Sequence, residues 1–215
     1  RGFDADMVSE IQRYLSTNKP VDKHNLSTKP VEPYVGVIHR LDKPVSGVMV
    51  YAKTKTAAAA LSKQVAEGKM YKKYLTVLCG KPVDNNGTYV DYLKQDKKNN
   101  CSRIVDKSDP ESKRAELEYK VLDCIRTEEK DSQYLSLVEI KLLTGRHHQI
   151  RVQFSGHGTP LYGDGKYGNN EKAVRKSLAL CACHLKFKHP ATGKIMDFQI
   201  KPDTGAFKLF SKSND

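Results

Sequence analysis

Apolar residues recur along this chain in two rhythms. Met7, Ile11, Tyr14 and Leu15 follow helical spacing, which predicts a helix over residues 1–18 with Asp4 or Asp6 as its cap. Ala57, Leu61 and Val65 form a second stripe at i, i+4, i+8, with Thr54 or Thr56 as cap and Gly68 as stop. Elsewhere the period shortens to two, or apolar residues run together. Residues 35–52 read as strand, loop, strand: an apolar run ending at Ile38, a charged loop broken by Pro44 and Gly47, then Val48-Met49-Val50-Tyr51. Lys72–Leu78 is rich in β-formers and is bounded by Gly80-Lys81-Pro82. Ala115–Leu122 alternates with apolar residues at odd positions, as a half-exposed strand does. Tyr134–Leu143 follows a Glu/Lys/Asp-rich turn at 127–132, and so short a connection predicts an antiparallel pair. Leu178–Lys188, the turn His189–Gly193 and Ile195–Ile200 read as a hairpin.

The remaining stretches are polar or mixed. Residues 19–34 hold Pro20, Pro30 and Pro33 and predict a loop. Residues 81–112 are dense in turn residues and predict a short hairpin excursion on the surface, and the tail from Pro202 reads as short and polar. From about His147 the spacing suits a helix that Gly156 and Gly158 terminate, with His148 and Arg151 on one face and Ile150 and Phe154 on another. The Gly-rich loop 160–168 lacks the lysine and Ser/Thr ending of a nucleotide P-loop, which argues against ATP or GTP. No repeat, heptad or low-complexity linker interrupts the chain, so one domain over 1–215 is expected. The fold class is α+β, a mainly antiparallel mixed sheet with flanking helices. The two polar clusters, around Asp42 and around Arg151, both lie at strand ends, an arrangement that permits them to meet in one central cleft.

Composition narrows the partner. With 37 Lys and Arg against 25 Asp and Glu, the net charge is +12, which favours a polyanion: nucleic acid first, an anionic membrane surface second. No apolar run of membrane-spanning length and no signal-peptide pattern is present in the sequence, and a cytoplasmic location is the expectation. Cys79, Cys101, Cys124, Cys181 and Cys183 fit no metal template, and Cys181-x-Cys183 places two thiols on one strand face. They read as small buried hydrophobes in a reducing compartment, with neither zinc nor disulfides.

Four segments, taken together and in order, resemble the RluA-type family of pseudouridine synthases, which convert chosen uridines of ribosomal or transfer RNA into their C-glycoside isomer. They are His39-Arg40-Leu41-Asp42 with Ser46-Gly47; Lys72-Lys73-Tyr74-Leu75-Thr76-Val77-Leu78-Cys79-Gly80; Thr144-Gly145-Arg146-His147-His148-Gln149-Ile150-Arg151 with Gly163-Asp164 and Tyr167-Gly168; and, more weakly, Leu185-x-Phe187-x-His189-Pro190-x-Thr192-Gly193. Val45 stands where the family usually has threonine. The family also begins with a pair of strands and an Asn-Lys-Pro motif. This chain starts after them, so the expectation is a single catalytic domain without those strands and without an S4-type RNA-binding module.

The resemblance implies roles. Asp42 is the catalytic carboxylate, attacking C6 of the base or C1′ of the sugar, or removing a proton from C2′. A cation is needed to keep it charged when buried. Arg151 is the first candidate and Arg146 the second. Tyr74 is the active-site tyrosine, whose ring can stack on uracil and whose phenol can assist proton removal from C5. Arg40 fills the gap left by a flipped uridine. His39, His148 and Gln149 buttress the loop and could contact RNA. The isomerisation is neither redox nor hydrolytic, so no cofactor, nucleotide or metal is expected. RNA is the partner, without a membrane, and a monomer is expected. Two other readings stand beside this one: a basic RNA-binding or assembly protein on the same fold without catalysis, and a glycoside hydrolase. The hydrolase would need a second carboxylate, for which Asp164, in a loop that looks structural, is the one motif-borne candidate.

Overall fold

The computed structural model describes residues 6–17, 32–127, 134–168 and 177–210. The first helix, α1, is Met7–Thr17, and the Ser9 amide donates to Asp6 Oδ1 at 2.9 Å as an N-terminal cap. The alternative cap Asp4, most of the loop predicted over 19–34 and most of the turn at 127–132 lie outside the described residues.

Between α1 and the second helix the strands among the described residues are two residues each: β1 (Gly36–Val37), β2 (Ser46–Gly47) and β3 (Tyr51–Ala52). β1 pairs antiparallel with β3, and β2 runs parallel to a later strand. The apolar runs predicted as full strands are held by packing, because Ile38, Val48 and Val50 insert among Leu61, Met70, Leu185 and Phe187. Helix α2 (Lys55–Ala66) is capped by Thr54, whose hydroxyl accepts from the Ala57 amide at 3.1 Å.

The main sheet follows: β4 (Tyr71–Cys79), β5 (Asn86–Asp96), β6 (Cys101–Val105), β7 (Lys113–Arg126), β8 (Tyr134–Leu142), β9 (Leu180–Lys188) and β10 (Ile195–Gln199). Their order across the sheet is β10-β9-β4-β8-β7-β5-β6, antiparallel throughout, with β2 added parallel to β9. This is the mostly antiparallel α+β architecture that the sequence predicts.

Side-chain alternation sends the central strands into two cores. Tyr74 and Leu78 of β4, Val138 and Ile140 of β8, and Leu180 and Ala182 of β9 share one core with Ile150 and Phe154 of helix α3 (Gln149–Gly156). Val77, Leu135, Cys181 and Cys183 share the other with Ala206, Phe207 and Phe210 of a 3-10 helix at Gly205–Phe210. The tail therefore continues into the core instead of trailing as a polar segment. All five cysteines are free thiols.

Residues 81–112 need a larger correction. They do form a hairpin, but no short excursion: β5 pairs with β7 along eight residues, and β6 then forms the sheet's edge. Turn residues at both ends of the segment mask the strands between them. The inward-facing positions of β5 also interrupt the apolar rhythm, since Asp91, held by Gln153 and His157, sits between Tyr89 and Leu93.

Candidate active site

The loop after β1 is fixed at both ends and in its middle. Leu41 and Val45 pack against the α3-side core, and the Val45 amide donates to the Asp42 carbonyl at 2.8 Å, closing a turn over Lys43 and Pro44. Val45, which departs from the family pattern, thus serves as an apolar anchor. His39 Nε2 accepts the Val50 amide at 3.2 Å. Gly47 lies against β9 with φ 137°, and a Cβ there would stand 2.5 Å from the Ala182 carbonyl oxygen. Only glycine allows this approach, which explains why Ser-Gly follows the charged cluster.

Thr144–His148 turn the chain from β8 into α3, and Gln149 organises that turn. Its side-chain oxygen accepts from the Arg146 amide and the Thr144 hydroxyl, at 3.0 and 2.8 Å, while its amide nitrogen donates to the Glu116 carbonyl at 3.0 Å. His148 precedes the helix in the left-handed region, with φ 53°. Arg151, on the first turn of α3, then points inward.

Arg151 is the centre of the site. Its Nε and Nη2 donate to Asp164 at 2.8 and 2.7 Å as a two-pronged bond, and Nη1 donates to Asp42 Oδ2 at 3.2 Å. The Tyr167 ring lies 5.1 Å from the guanidinium carbon. Asp164 is 1% exposed and also accepts the Lys166 and Tyr167 amides. It is delivered by Gly163 at φ 76°, where a Cβ would stand 2.2 Å from the Ser177 carbonyl oxygen. His148 Nε2 stands 3.6 Å from the same Oδ2 of Asp42, and His148 Nδ1 meets the Tyr167 hydroxyl at 2.6 Å.

Electrostatics follow from this packing. Burial opposes the Arg151 charge, but Asp164 and Asp42 outweigh it and raise the Arg151 pKa. Burial likewise opposes the Asp164 charge, and Arg151 with the two backbone amides outweighs it, lowering the Asp164 pKa. Burial pushes Tyr74 up to about 12, with the Asp42 charge adding to it. Burial lowers His148 to about 4, against the pull of Asp42 and with help from Arg151, His147 and Lys166. His39 is lowered to about 4 by burial and then by Lys72.

The structure thus brings Asp42, Arg151 and His148 together, with Tyr74 buried close enough for the Asp42 charge to raise its pKa. It does not bring Arg146 in: that side chain is exposed, with Nε donating to the Arg114 carbonyl at 2.8 Å. Of the two candidate cations, Arg151 is the one paired with Asp42. Arg40 is exposed, with no hydrogen bond or ion pair among the described residues. Gln149 and His39 take the buttressing role. The Gln149 amide is spent on internal bonds, which leaves it no group to offer RNA. Two members of the cluster escaped the sequence reading as site residues, Asp164 and Tyr167, although both stand in the quoted motif. Among the described residues no group of three or more His, Cys, Asp or Glu side chains could hold a metal ion, and no helix is long and apolar enough to cross a membrane.

Comparisons with known proteins agree on one family. Residues 5–156 match the family described as RNA pseudouridylate synthase. A ribosomal large subunit pseudouridine synthase D of Zymomonas mobilis is 36% identical over 174 residues, covering 77% of this chain and 52% of its own length. An uncharacterized RNA pseudouridine synthase of Mycoplasma pneumoniae is 30% identical, covering 99% and 70%. The chain spans about half the length of several curated relatives it matches. Among solved structures, human RNA pseudouridylate synthase domain containing 4 superposes with a TM-score of 0.66 at 25% identity, covering 83% of this chain and 76% of that one. Human RNA pseudouridylate synthase domain containing 1 shares the fold, with a TM-score of 0.68 at 24% identity over 79% of this chain and 70% of that one.

Proposed function

Because the chain belongs to the RNA pseudouridylate synthase family, we propose that it isomerises chosen uridines of RNA to pseudouridine, in ribosomal RNA rather than transfer RNA. The observation that carries the reading is the Asp42–Arg151 contact at 3.2 Å, made by an arginine whose side chain is 7% exposed. A carboxylate so paired is oriented, with one oxygen fixed by a buried cation. The curated relatives named as ribosomal large subunit synthases support ribosomal RNA as the substrate.

The reaction breaks the bond from N1 to C1′, turns the base, and joins C5 to C1′. A proton leaves C5 and N1 gains one, so no oxidant, reductant or water is consumed. Asp42 adds to C6 or to C1′, or takes the C2′ proton. Each route needs a charged oxygen within reach of the flipped nucleotide. Tyr74, with its phenol held near 12, is protonated at neutral pH. It therefore serves as a platform under the base and a hydrogen-bond donor more readily than as a base for the C5 proton. Arg40, exposed two residues before Asp42 in the chain, stacks into the gap the uridine leaves. The net charge of +12 supplies the salt-dependent background affinity.

Tritium release from RNA labelled at C5 of uridine tests this, with ribosomal and transfer RNA transcripts offered separately. Release from ribosomal transcripts is expected. Release from transfer RNA alone would overturn the substrate class, and release from neither would overturn the activity.

A further inference from the structure

The two contacts on Asp42 fall on one oxygen. Arg151 Nη1 at 3.2 Å and His148 Nε2 at 3.6 Å both address Oδ2, and no hydrogen bond reaches Oδ1 among the described residues. The protonation of His148 follows from what holds its other nitrogen. The Tyr167 hydroxyl oxygen accepts the Ser102 amide at 2.8 Å and lies 2.6 Å from His148 Nδ1. The phenol has one proton to give, and His148 Nδ1 is the acceptor it meets among the described residues. Were Nδ1 itself protonated, the phenol proton would have no acceptor there, and the bare lone pair of Nε2 would face a carboxylate. Both penalties vanish if Nδ1 accepts and Nε2 carries the proton.

The ring next to it is fixed in the same sense. His147 Nε2 lies 3.2 Å from the side-chain oxygen of Asn100, which can only accept, so Nε2 carries the proton. His147 Nδ1 then accepts from the Ser102 hydroxyl at 2.8 Å. The two imidazoles stack with centroids 3.7 Å apart. Ser102, on edge strand β6, therefore addresses both: its amide through Tyr167 to His148, its hydroxyl directly to His147.

We propose that His148 is a positioning residue for Asp42. Tyr167, itself set by the β6 backbone, holds it as the Nε2–H tautomer. With Arg151 it reserves Oδ2, leaving Oδ1 as the oxygen that reacts. The proposal rests on the reading of Asp42 as the catalytic carboxylate. A separation of 3.6 Å lies just beyond hydrogen-bond length, and such contacts tighten when substrate closes over a site. The β5–β6 hairpin is then part of the reaction machinery, since it supplies the first donor of a chain that ends at Asp42.

Nitrogen-15 spectra of histidine-labelled protein without RNA read the tautomer directly, with His148 assigned by its loss in His148→Asn. Asparagine tolerates the left-handed backbone at this position, so that variant removes the ring without straining the turn. His148 with a protonated Nε2 and a bare Nδ1 is expected. A protonated Nδ1 would overturn the proposal. Tyr167→Phe keeps the ring beside Arg151 and deletes the hydroxyl. It should lower the single-turnover rate about ten- to a hundredfold, the usual cost of losing an orienting partner, with RNA affinity within a few-fold of wild type. His148→Asn should fall at least as far. Wild-type rates in both would overturn the proposal. Because the spectrum is recorded without RNA, a protein that modified no uridine would refute the activity and leave the tautomer measurement standing.

Discussion

Arg151 reaches Asp42 from helix α3, Arg40 stands two residues before Asp42 in the chain, and the two arginines live under opposite conditions. Arg151 is buried, forked onto Asp164, bonded to Asp42 and flanked by the Tyr167 ring. Arg40 is exposed and, among the described residues, tied to nothing by hydrogen bond or ion pair. The first is committed before any RNA arrives, because a buried guanidinium must have its donors satisfied. The second keeps its donors and its flat face available. One motif arginine therefore belongs to the folded state, and the other is left free for the role in the complex that we propose. Arg146 falls on the exposed side of this division, its side chain bonded, among the described residues, to the Arg114 carbonyl alone.

Replacing Arg151 should give the largest effect. Arg151→Ala strands the Asp164 carboxylate in the core and should cost about 3–5 kcal/mol of stability, the usual penalty for breaking a buried pair, read as a lower denaturation midpoint. Arg151→Lys keeps the charge but not the fork. It should fold and lose most activity, and a lysine variant with full activity would break the contrast between a committed and a free cation. Asp164→Asn comes next. It preserves shape while removing one of two charges from Arg151, and should cost about 1.5–3 kcal/mol, the range for a hydrogen bond to a charged group. Its midpoint in urea should fall while RNA affinity holds, since Asp164 faces the core.

Arg40→Ala should leave stability within about 0.5 kcal/mol, as surface changes do. It should slow single-turnover modification more than it weakens ground-state binding. A loss confined to binding would make Arg40 a phosphate contact and not a base substitute. The last prediction concerns pH. His148 and His39 are both lowered to about 4, so the folded protein keeps them neutral while the unfolded chain takes protons near 6.5. Stability should be unaffected by them above that value and should fall as pH drops from about 6.5 towards about 4. Thermal midpoints recorded through that window check it, and the slope should flatten in His148→Asn.

How far the chain could be read in advance varies along it for physical reasons. The partnership of Asp42 with an arginine more than a hundred residues later was legible through the family resemblance of both motifs, and their places at strand ends permitted it. The resemblance ranked Arg151 before Arg146, and what decides between them is how Gln149 folds the turn and sends one side chain inward. Asp164 stood in view but looked structural. It is structural in the sense of being buried, yet its two-pronged bond is what aims Arg151 at Asp42. A hairpin was legible between β5 and β6, but its length and its place in the main sheet were hidden, because an inward aspartate, satisfied by Gln153 and His157 from α3 and its C-terminal cap, occupies a position where alternation calls for an apolar residue. The tail misled in a similar way. Phe207 and Phe210, three apart, fill a core beneath β9, but the apolar segment that carries them, Ala206-Phe207-Lys208-Leu209-Phe210, is only five residues long and follows the polar Lys201-Pro202-Asp203-Thr204.

The central claim is that a carboxylate oriented by a buried arginine does the chemistry. Asp42→Asn tests it most directly, measured beside wild type for tritium release and for RNA binding on the same transcripts. The amide keeps the size of the side chain and removes its charge. The account predicts no release with RNA affinity close to wild type, and release at the wild-type rate would contradict it.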